Sequence, residues 1–279
     1  MKKTFRYALI IMLVFQTISL GWRTGDVHAA CSPEGDGSKE CPFIVTDAAG
    51  LSDIRLNLSA HYRLGANIDL AGYDYDGAGP DVGGWMPIGA VSDTIGNAFT
   101  GTLDGNGYVI RNLTIDRPSM HYVGLFGWVG MPTGPLDETG LWNVRLIDVR
   151  ISGQETVGSL TGNLLKGTIE NSFATGSVAA SGSNAGGLAG VTQGLILNSY
   201  AVVHASGQTR VGGLAGTNVG IVRNSFAAGS VRAVGDEAGG LTGYALSSSD
   251  IQDSYASGTV NGAPGLIGGL VGRGGGGSS

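Results

Sequence analysis

The chain has 279 residues, 51 of them glycine, and carries 16 Lys and Arg against 22 Asp and Glu, a net charge of −6. An acidic chain without basic clusters argues against nucleic acid as a partner, because neutralising phosphates supplies most of such affinity. The glycine content lies far above the usual ~7%, and the aliphatic residues at regular intervals indicate many tight corners rather than disorder.

Residues 1–30 have the pattern of an export signal. A basic start is followed at 8–20 by a largely apolar run of 13 residues, shorter than the about 20 residues of a membrane-spanning helix. Small residues at 27–30 offer a cleavage site. We predict that 1–30 is a signal peptide and that the mature chain, without a transmembrane span, is secreted or attached to the cell surface. Its charge would be −9, from 12 basic (16 − 4) and 21 acidic (22 − 1) residues.

Two cysteines, Cys31 and Cys41, follow the predicted cleavage site. An even pair in an exported chain is most simply a disulfide. The alternative is lipidation of Cys31 as a lipoprotein anchor, although His28 stands where the lipoprotein pattern favours an aliphatic residue. We prefer the disulfide, which would close a short polar loop ahead of the first strand.

Residues 42–64 carry the one convincing helix signal. Thr46 and Asp47 are suited to cap a helix, and Leu51, Ile54 and Leu58 share one helical face. Repeat arrays need their open ends covered, so we interpret this segment as a short N-terminal capping helix.

Short strands are predicted next, at 62–64, 68–70, 99–103, 108–115 and 142–151. The turn sequence Asp104-Gly105-Asn106-Gly107 by itself favours a hairpin. The residues around it, 99–108, instead resemble a segment that opens β-helices. Residues 131–139 are predicted to form an inserted loop.

One loop is a candidate metal site. Asp74, Asp76 and Asp81 alternate with glycines, and oxygen ligands of this kind hold Ca²⁺ outside cells. The loop lacks the further acidic ligands of an EF-hand, and a solvated turn with aspartates as turn residues is the alternative. No other cofactor is predicted.

Five Gly-x-Leu-x-Gly corners recur in the second half of the chain. Their leucines are 28, 26, 27 and 29 residues apart, at Leu160, Leu188, Leu214, Leu241 and Leu270. A fixed period in this range indicates a stacked array in which each repeat is one turn. The predicted fold class is all-β: a parallel β-helix (β-solenoid) with about three short strands per 26–29-residue coil.

A second motif recurs in the segments between the corners. An aliphatic residue, an Asn or Asp, and an aromatic residue occupy every second position, which is typical of a strand. The polar members are Asn171, Asn198, Asn224 and Asp253, and the aromatic members are Phe173, Tyr200, Phe226 and Tyr255. In stacked coils we expect an inward column of leucines, an amide ladder, and an aromatic column that faces either way. The serines between them, such as Ser199, are expected to face outward.

These two motifs together resemble the GLUG repeat of secreted bacterial proteins, over roughly residues 122–272. Residues 123–127 would be a first, degenerate corner. The repeat occurs in haemagglutinin-like adhesins, in cell-surface proteins and beside the catalytic domain of immunoglobulin-A-cleaving metallopeptidases. The resemblance implies a β-helical scaffold that proteins with different functions share.

The predicted domain organisation follows. A signal peptide (1–30) precedes an N-terminal cap with the first coils (31–121), the GLUG-type repeats (122–272) and a Gly/Ser-rich tail (273–279). The tail stops before another Asn-Ser-aromatic strand, which would leave the strand edge of the last coil unpaired. Either the chain is the front part of a longer protein or something else covers that edge, and we prefer the first.

No catalytic or cofactor-binding residues can be assigned. The histidines of the mature chain, His61, His121 and His204, are far apart in sequence, and His-Glu-x-x-His, Gly-Lys-Ser/Thr and Gly-x-Ser-x-Gly are absent. Each histidine is predicted to be a surface or packing residue. We therefore expect a protein that is not an enzyme.

The predicted function is adhesion or scaffolding by a secreted or cell-surface β-solenoid, whose partner is a host or matrix surface of glycan or protein. An alternative is an accessory repeat module of a larger secreted enzyme, either a metallopeptidase or a polysaccharide-degrading enzyme. Lyase-like and ice-binding solenoids rank lower. Tyr73, Tyr75 and Trp128 are candidate carbohydrate contacts, unless they are packed.

Overall fold

Each glycine-rich corner turns the chain between two short strands, and successive coils stack so that equivalent strands pair in parallel. The computed structural model describes residues 31–73, 75, 83–89, 97–133, 138–263 and 265–275. The predicted signal peptide and the candidate Ca²⁺ ligands Asp74, Asp76 and Asp81 lie outside the described residues. The prediction of a parallel β-solenoid is confirmed.

Four sheets run along the solenoid, named here sheets 1 to 4 in the order in which a coil visits them. Sheet 1 consists of Phe43–Val45, His61–Leu64, Thr102–Asp104, Gly140–Trp142, Thr168–Glu170, Leu195–Leu197, Ile221–Arg223 and Asp250–Gln252. Sheet 2 consists of Ile68–Asp69, Ile110–Arg111, Thr114–Asp116, Arg145–Gly153, Phe173–Ala180, Tyr200–Gly207, Phe226–Ala227, Val231–Ala233, Tyr255–Ala256 and Val260–Asn261.

Sheets 3 and 4 flank the glycine corner. Sheet 3 consists of His121–Val123, Glu155–Gly158, Ser183–Gly186, Thr209–Gly212, Ala238–Gly239 and Ile267–Gly268. Sheet 4 consists of Phe126–Val129, Thr161–Leu164, Ala189–Thr192, Ala215–Asn218, Thr242–Ala245 and Val271–Gly274. A regular coil therefore passes through four sheets, not about three strands, because each corner has a strand on both sides.

The repeat leucines form one column inside the solenoid. Leu160, Leu188, Leu214 and Leu241 are fully buried, and the backbone N–H of each donates to the carbonyl of the next leucine at 2.8–3.0 Å. Leu270 continues the column in the last described coil, where it is 38% exposed. The degenerate corner adds Leu125, which is also fully buried.

The second glycine of each corner is required by close packing. A Cβ on Gly216 would lie 2.6 Å from the carbonyl carbon of Asn184 and 2.7 Å from the carbonyl oxygen of Gly190. Both atoms belong to the backbone, so they cannot rotate away as a side chain would. The corner therefore presses on the preceding coil at a distance that only glycine permits.

The N-terminal end is covered by a short helix, as predicted, although the helix is shorter than the signal over 42–64 indicated. It spans Ala48–Asp53 and continues as a 3-10 turn over Ile54–Leu56, and strands occupy both ends of the predicted segment. The side chain of Asp47 caps it by accepting from Gly50 N–H at 2.8 Å. Leu51 and Ile54 are fully buried in the core.

The disulfide between Cys31 and Cys41 is confirmed. Its loop packs against the second strand of sheet 1, because the His61 N–H donates to the Gly37 carbonyl at 2.9 Å. A sulfur atom in a disulfide has no free valence for a lipid, so this bond supports the disulfide over the lipid anchor as the role of Cys31.

The segment Asp104–Gly107 forms a corner between sheets 1 and 2 rather than a hairpin. Asn106 and Gly107 both have positive φ, and the Asp104 carboxylate accepts from the Asn106 N–H at 2.9 Å. The strands on either side of this corner pair in parallel with neighbouring coils. The inferred resemblance to a β-helix opening therefore describes this segment better than its turn sequence alone.

The asparagines of the repeat occupy a left-handed corner between sheets 1 and 2. Asn171, Asn198, Asn224 and Asp253 have φ of 48–50°. Asn and Asp tolerate this conformation better than other non-glycine residues. The corner interrupts the alternation of side chains, so the residue after it points inward and the aromatic residue points outward.

The repeat serines consequently face the interior, and the expectation that they face outward was wrong. Ser172, Ser199 and Ser225 are each 1% exposed. The Ser199 hydroxyl accepts from the Ser172 N–H at 3.1 Å and donates to the Leu197 carbonyl at 2.7 Å. The same pair of bonds recurs at Ser225 and at Ser254. We call this column the serine ladder.

Candidate functional site: the aromatic face

The outer surface of sheet 2 carries a stack of four aromatic rings. Neighbouring ring centroids in the series Phe173, Tyr200, Phe226 and Tyr255 lie 4.8, 4.7 and 5.1 Å apart, and the ring planes differ by 2–6°. The first three rings are half-buried and Tyr255 is 56% exposed. The rings therefore cover one another's faces and present their edges, with two tyrosine hydroxyls, along the solenoid axis.

Three further columns lie beside this stack, held in register by the parallel pairing of sheet 2. The second column includes Thr175 and Val202, which is 42% exposed. The third includes Ser177 and His204. The fourth includes Ser206, Arg232 and Asn261. We call the four columns together the aromatic face.

The aromatic face differs in charge from the rest of the molecule. Segments 172–180, 199–207, 225–234 and 254–262 contain no Asp or Glu and only two basic side chains, His204 and Arg232. Charged residues resume in the preceding coil, at Arg145, Asp148 and Arg150. The face is therefore a flat strip of hydroxyl, small apolar and aromatic groups on an acidic protein.

The predicted amide ladder lies next to the ring stack but is formed at one step only among the described residues. The Asn224 side-chain amide donates to Asn198 Oδ1 at 3.3 Å, whereas the Asn198 amide turns to Glu170 Oε1 at 3.5 Å. The exposed amides serve mainly as corner residues. They add hydrogen-bonding groups to the margin of the aromatic face.

The three candidate carbohydrate contacts from the sequence do not belong to this surface. Trp128 is 6% exposed and packs against the tilted ring of Tyr122, with ring centroids 4.1 Å apart. Tyr73 packs on Trp85 at 5.3 Å, and the guanidinium of Arg55 covers the Tyr75 ring at 4.3 Å. All three rings are engaged in packing, the alternative that the sequence left open.

The histidines make local contacts and do not come together. His61 Nδ1 lies 2.8 Å from Thr102 Oγ1, His121 faces Glu155 at 3.7 Å, and His204 Nδ1 lies 2.7 Å from Ser230 Oγ on the aromatic face. Within the described parts of the chain, His, Cys, Asp and Glu do not gather in groups of three that would hold a metal ion.

Shifted pKa values concentrate near the N-terminal cap. Burial, with a smaller contribution from Lys39, lowers the pKa of His61, and burial raises the pKa of Tyr62 to about 12. Burial also lowers the pKa of Arg55, whose guanidinium donates to the carbonyls of Ser52 and Met86. A cleft of about 250 Å³ beside His61 is lined by Lys39, Ser59, Thr100 and Glu138. These shifts follow from packing of the cap.

A buried ion cluster lies at the C-terminal end of sheets 3 and 4, and sequence reasoning missed it. Glu237 is 7% exposed, and its carboxylate oxygens lie 2.9 Å from a guanidinium nitrogen of Arg210 and 3.1 Å from one of Arg273. Both guanidiniums also lie over the Tyr244 ring, at 5.2 and 5.8 Å. Because the three charged residues come from successive coils, the cluster ties those coils together.

Comparison with known proteins finds a family model that matches one repeat. The family model described as "The GLUG motif" matches residues 237–261. Halomucin of Haloquadratum walsbyi is 40% identical over 178 residues, which is 62% of this chain and 2% of that protein. A protein of Evansella cellulosilytica, provisionally named Gly-rich membrane protein, is 36% identical over 170 residues, 59% of this chain and 18% of that protein. The chain thus spans a small part of these curated relatives.

A solved structure shares the architecture. It is a crystal structure of a Bacteroides ovatus protein provisionally described as an immunoglobulin A1 protease, with a TM-score of 0.65 and 27% identity. The match covers 85% of this chain and 72% of the other. Among the described residues, no helix has both the length and the apolar character needed to cross a membrane. The resemblance inferred from the repeats is thereby confirmed: the chain is a β-solenoid that carries the GLUG motif.

Proposed function

We propose that the protein is a non-enzymatic β-solenoid of the cell exterior that adheres to a host or matrix surface through the aromatic face. The observation that carries this proposal is the aromatic face itself: four stacked rings at 4.7–5.1 Å beside columns without a carboxylate. A rigid and extended surface without carboxylates suits contact with another extended surface. It does not suit enclosure of a small substrate, which concave pockets bind.

Three further observations support a place outside the cell. The Cys31–Cys41 disulfide is of a kind that persists in oxidising compartments. Residues 1–30 have the composition of an export signal. One relative carries the name Gly-rich membrane protein and another the name halomucin.

The absence of catalysis is also part of the proposal. Ser172, Ser199 and Ser225 are held in the serine ladder and are 1% exposed, so they cannot act on a substrate. The partner of His61, Thr102 Oγ1, belongs to a residue only 4% exposed. An accessory role beside a catalytic domain remains the second candidate, because the solved structure that matches is described as a protease.

Binding of the protein, purified from an exporting host, to immobilised glycans and matrix proteins tests the adhesive function. Val202→Glu places a carboxylate in the second column of the aromatic face, at a position 42% exposed. Leu56→Glu is the matched control, since Leu56 is 81% exposed on the N-terminal cap. We expect the wild type and Leu56→Glu to bind and Val202→Glu to lose binding. Equal binding by all three, or by none, contradicts the proposal.

A further inference from the structure

The aromatic face repeats the same chemistry at each coil. Along the ring stack the repeat is 4.7–5.1 Å, close to the about 4.8 Å that separates paired strands. A ligand with the same repeat would meet an equivalent set of groups at every step. An extended β-1,4-linked polysaccharide advances by nearly this distance per sugar, with successive sugars turned over, so each coil would meet one sugar and every second coil the same side of it.

The charge of the surface favours a neutral polymer. The mature chain has 12 basic and 21 acidic residues, so its overall field repels polyanions such as uronic-acid polymers. The aromatic face itself carries no carboxylate that a neutral sugar would have to desolvate. Its serine and threonine hydroxyls, for example those of Thr175 and Ser177, both donate and accept, as sugar hydroxyls do.

The rigidity of the surface also favours a polysaccharide. The strands Phe173–Ala180 and Tyr200–Gly207 pair over seven registered positions, and the stacked rings fix one another's orientation. Little conformational entropy is then lost when a stiff chain is bound. A protein partner would instead be expected to anchor side chains in deep pockets, whereas the depression beside Ser206 and Arg232, at the margin of the face, measures about 210 Å³ and is open to solvent.

We propose that the aromatic face binds a neutral, extended β-1,4-linked polysaccharide that lies along the solenoid axis with one sugar opposite each coil. This proposal rests on the adhesive function proposed above and names its ligand. The ring edges contact the apolar parts of the sugars. The hydroxyls of Tyr200 and Tyr255 and of the neighbouring columns bond to the sugar hydroxyls.

The experiment is a calorimetric titration with β-1,4-linked glucose and N-acetylglucosamine oligomers of two to six units, together with depletion of the protein by cellulose and chitin. Since four coils carry rings, affinity should rise with each sugar up to four and then level off. Val202→Glu should weaken the binding of the four-sugar oligomer at least about tenfold, because a carboxylate must then be desolvated. Leu56→Glu should leave it unchanged, and polygalacturonate should not bind.

The outcomes separate the two proposals. If the protein binds matrix proteins but none of these glycans, and Val202→Glu loses that binding, the adhesive function stands and the polysaccharide ligand is overturned. Glycan binding that is indifferent to oligomer length overturns the alignment of one sugar per coil. Glycan binding that survives Val202→Glu, with thermal unfolding unchanged, overturns the assignment to this face. No binding to any surface overturns both proposals.

Discussion

Removal of one hydroxyl from the serine ladder should destabilise the solenoid measurably. In Ser199→Ala the Leu197 carbonyl keeps a second donor, the Asn171 N–H at 3.2 Å. The Ser172 N–H, which donates to Ser199 Oγ at 3.1 Å, loses its acceptor in a place where the residue is 1% exposed. An unsatisfied buried donor costs about 1–3 kcal/mol. We expect the free energy of unfolding to fall by that amount.

Urea unfolding followed by circular dichroism measures this loss. The thermal midpoint should also fall, by about 2–4 °C for each kcal/mol in a chain of this size. Ser257→Ala is the matched control, because Ser257 is exposed in the segment between the strands Tyr255–Ala256 and Val260–Asn261 and a surface change of this kind stays within about 0.5 kcal/mol. If Ser199→Ala is no less stable than Ser257→Ala, the ladder does not carry the energy assigned to it.

Three other predictions concern the core, a corner and the cap. Leu214→Asp should prevent folding, because burying a leucine is worth about 1.5–3 kcal/mol and the carboxylate adds a desolvation cost. The control Leu270→Asp should still fold, since that position is 38% exposed. Equal melting temperatures for the two variants would contradict the leucine column. Gly216→Ala should destabilise more than Gly269→Ala, since an added Cβ meets backbone at 2.6 Å in the first and nothing within 4 Å in the second; equal unfolding midpoints would argue against the close approach. The pKa of His61 is lowered below 6.5, so the unfolded chain takes up its proton first and stability should fall as the pH drops below about 6.5. His61→Gln should remove that part of the pH dependence, and an unchanged profile would refute it.

Most of the fold could be predicted from the repeat period and from the pair of cysteines. Leucines at intervals of 26–29 residues predicted the coil length, and no other feature of the sequence was needed to place Leu160, Leu188, Leu214 and Leu241 in one buried column. The short helix followed from Asp47 and the apolar spacing behind it. Its length was overestimated because strands on either side supplied apolar residues that fit the same spacing.

The direction of the side chains could not be obtained from alternation alone. A strand with period two assigns Ile196, Asn198 and Tyr200 to one face, yet Ile196 is buried and the other two face solvent. The left-handed φ of 49° at Asn198 shifts the phase. The recurrence of Asn or Asp at this one position was the available signal, because these residues tolerate that conformation.

The Arg210–Glu237–Arg273 cluster had no comparable signal. Arg210 and Glu237 occupy equivalent positions, four residues before Leu214 and Leu241, whereas Arg273 comes from a different position, three residues after Leu270. The approach of Arg273 to Glu237 therefore depends on how coils are registered across sheets 3 and 4. The aromatic face could be predicted only in part. Its residues were identified from the repeat, but whether they faced inward or outward depended on the corner.

The serine ladder also has a consequence for the chemical ageing of the protein. Asparagine followed by serine deamidates when the serine nitrogen attacks the asparagine side chain and closes a five-membered imide. In Asn171-Ser172, Asn198-Ser199 and Asn224-Ser225 that nitrogen is held by a hydroxyl of the next coil at 3.1–3.2 Å. The folded chain should keep these amides during long incubation at alkaline pH, whereas the urea-unfolded chain should lose them. Peptide mass spectrometry would detect the difference as a gain of about one mass unit at each site.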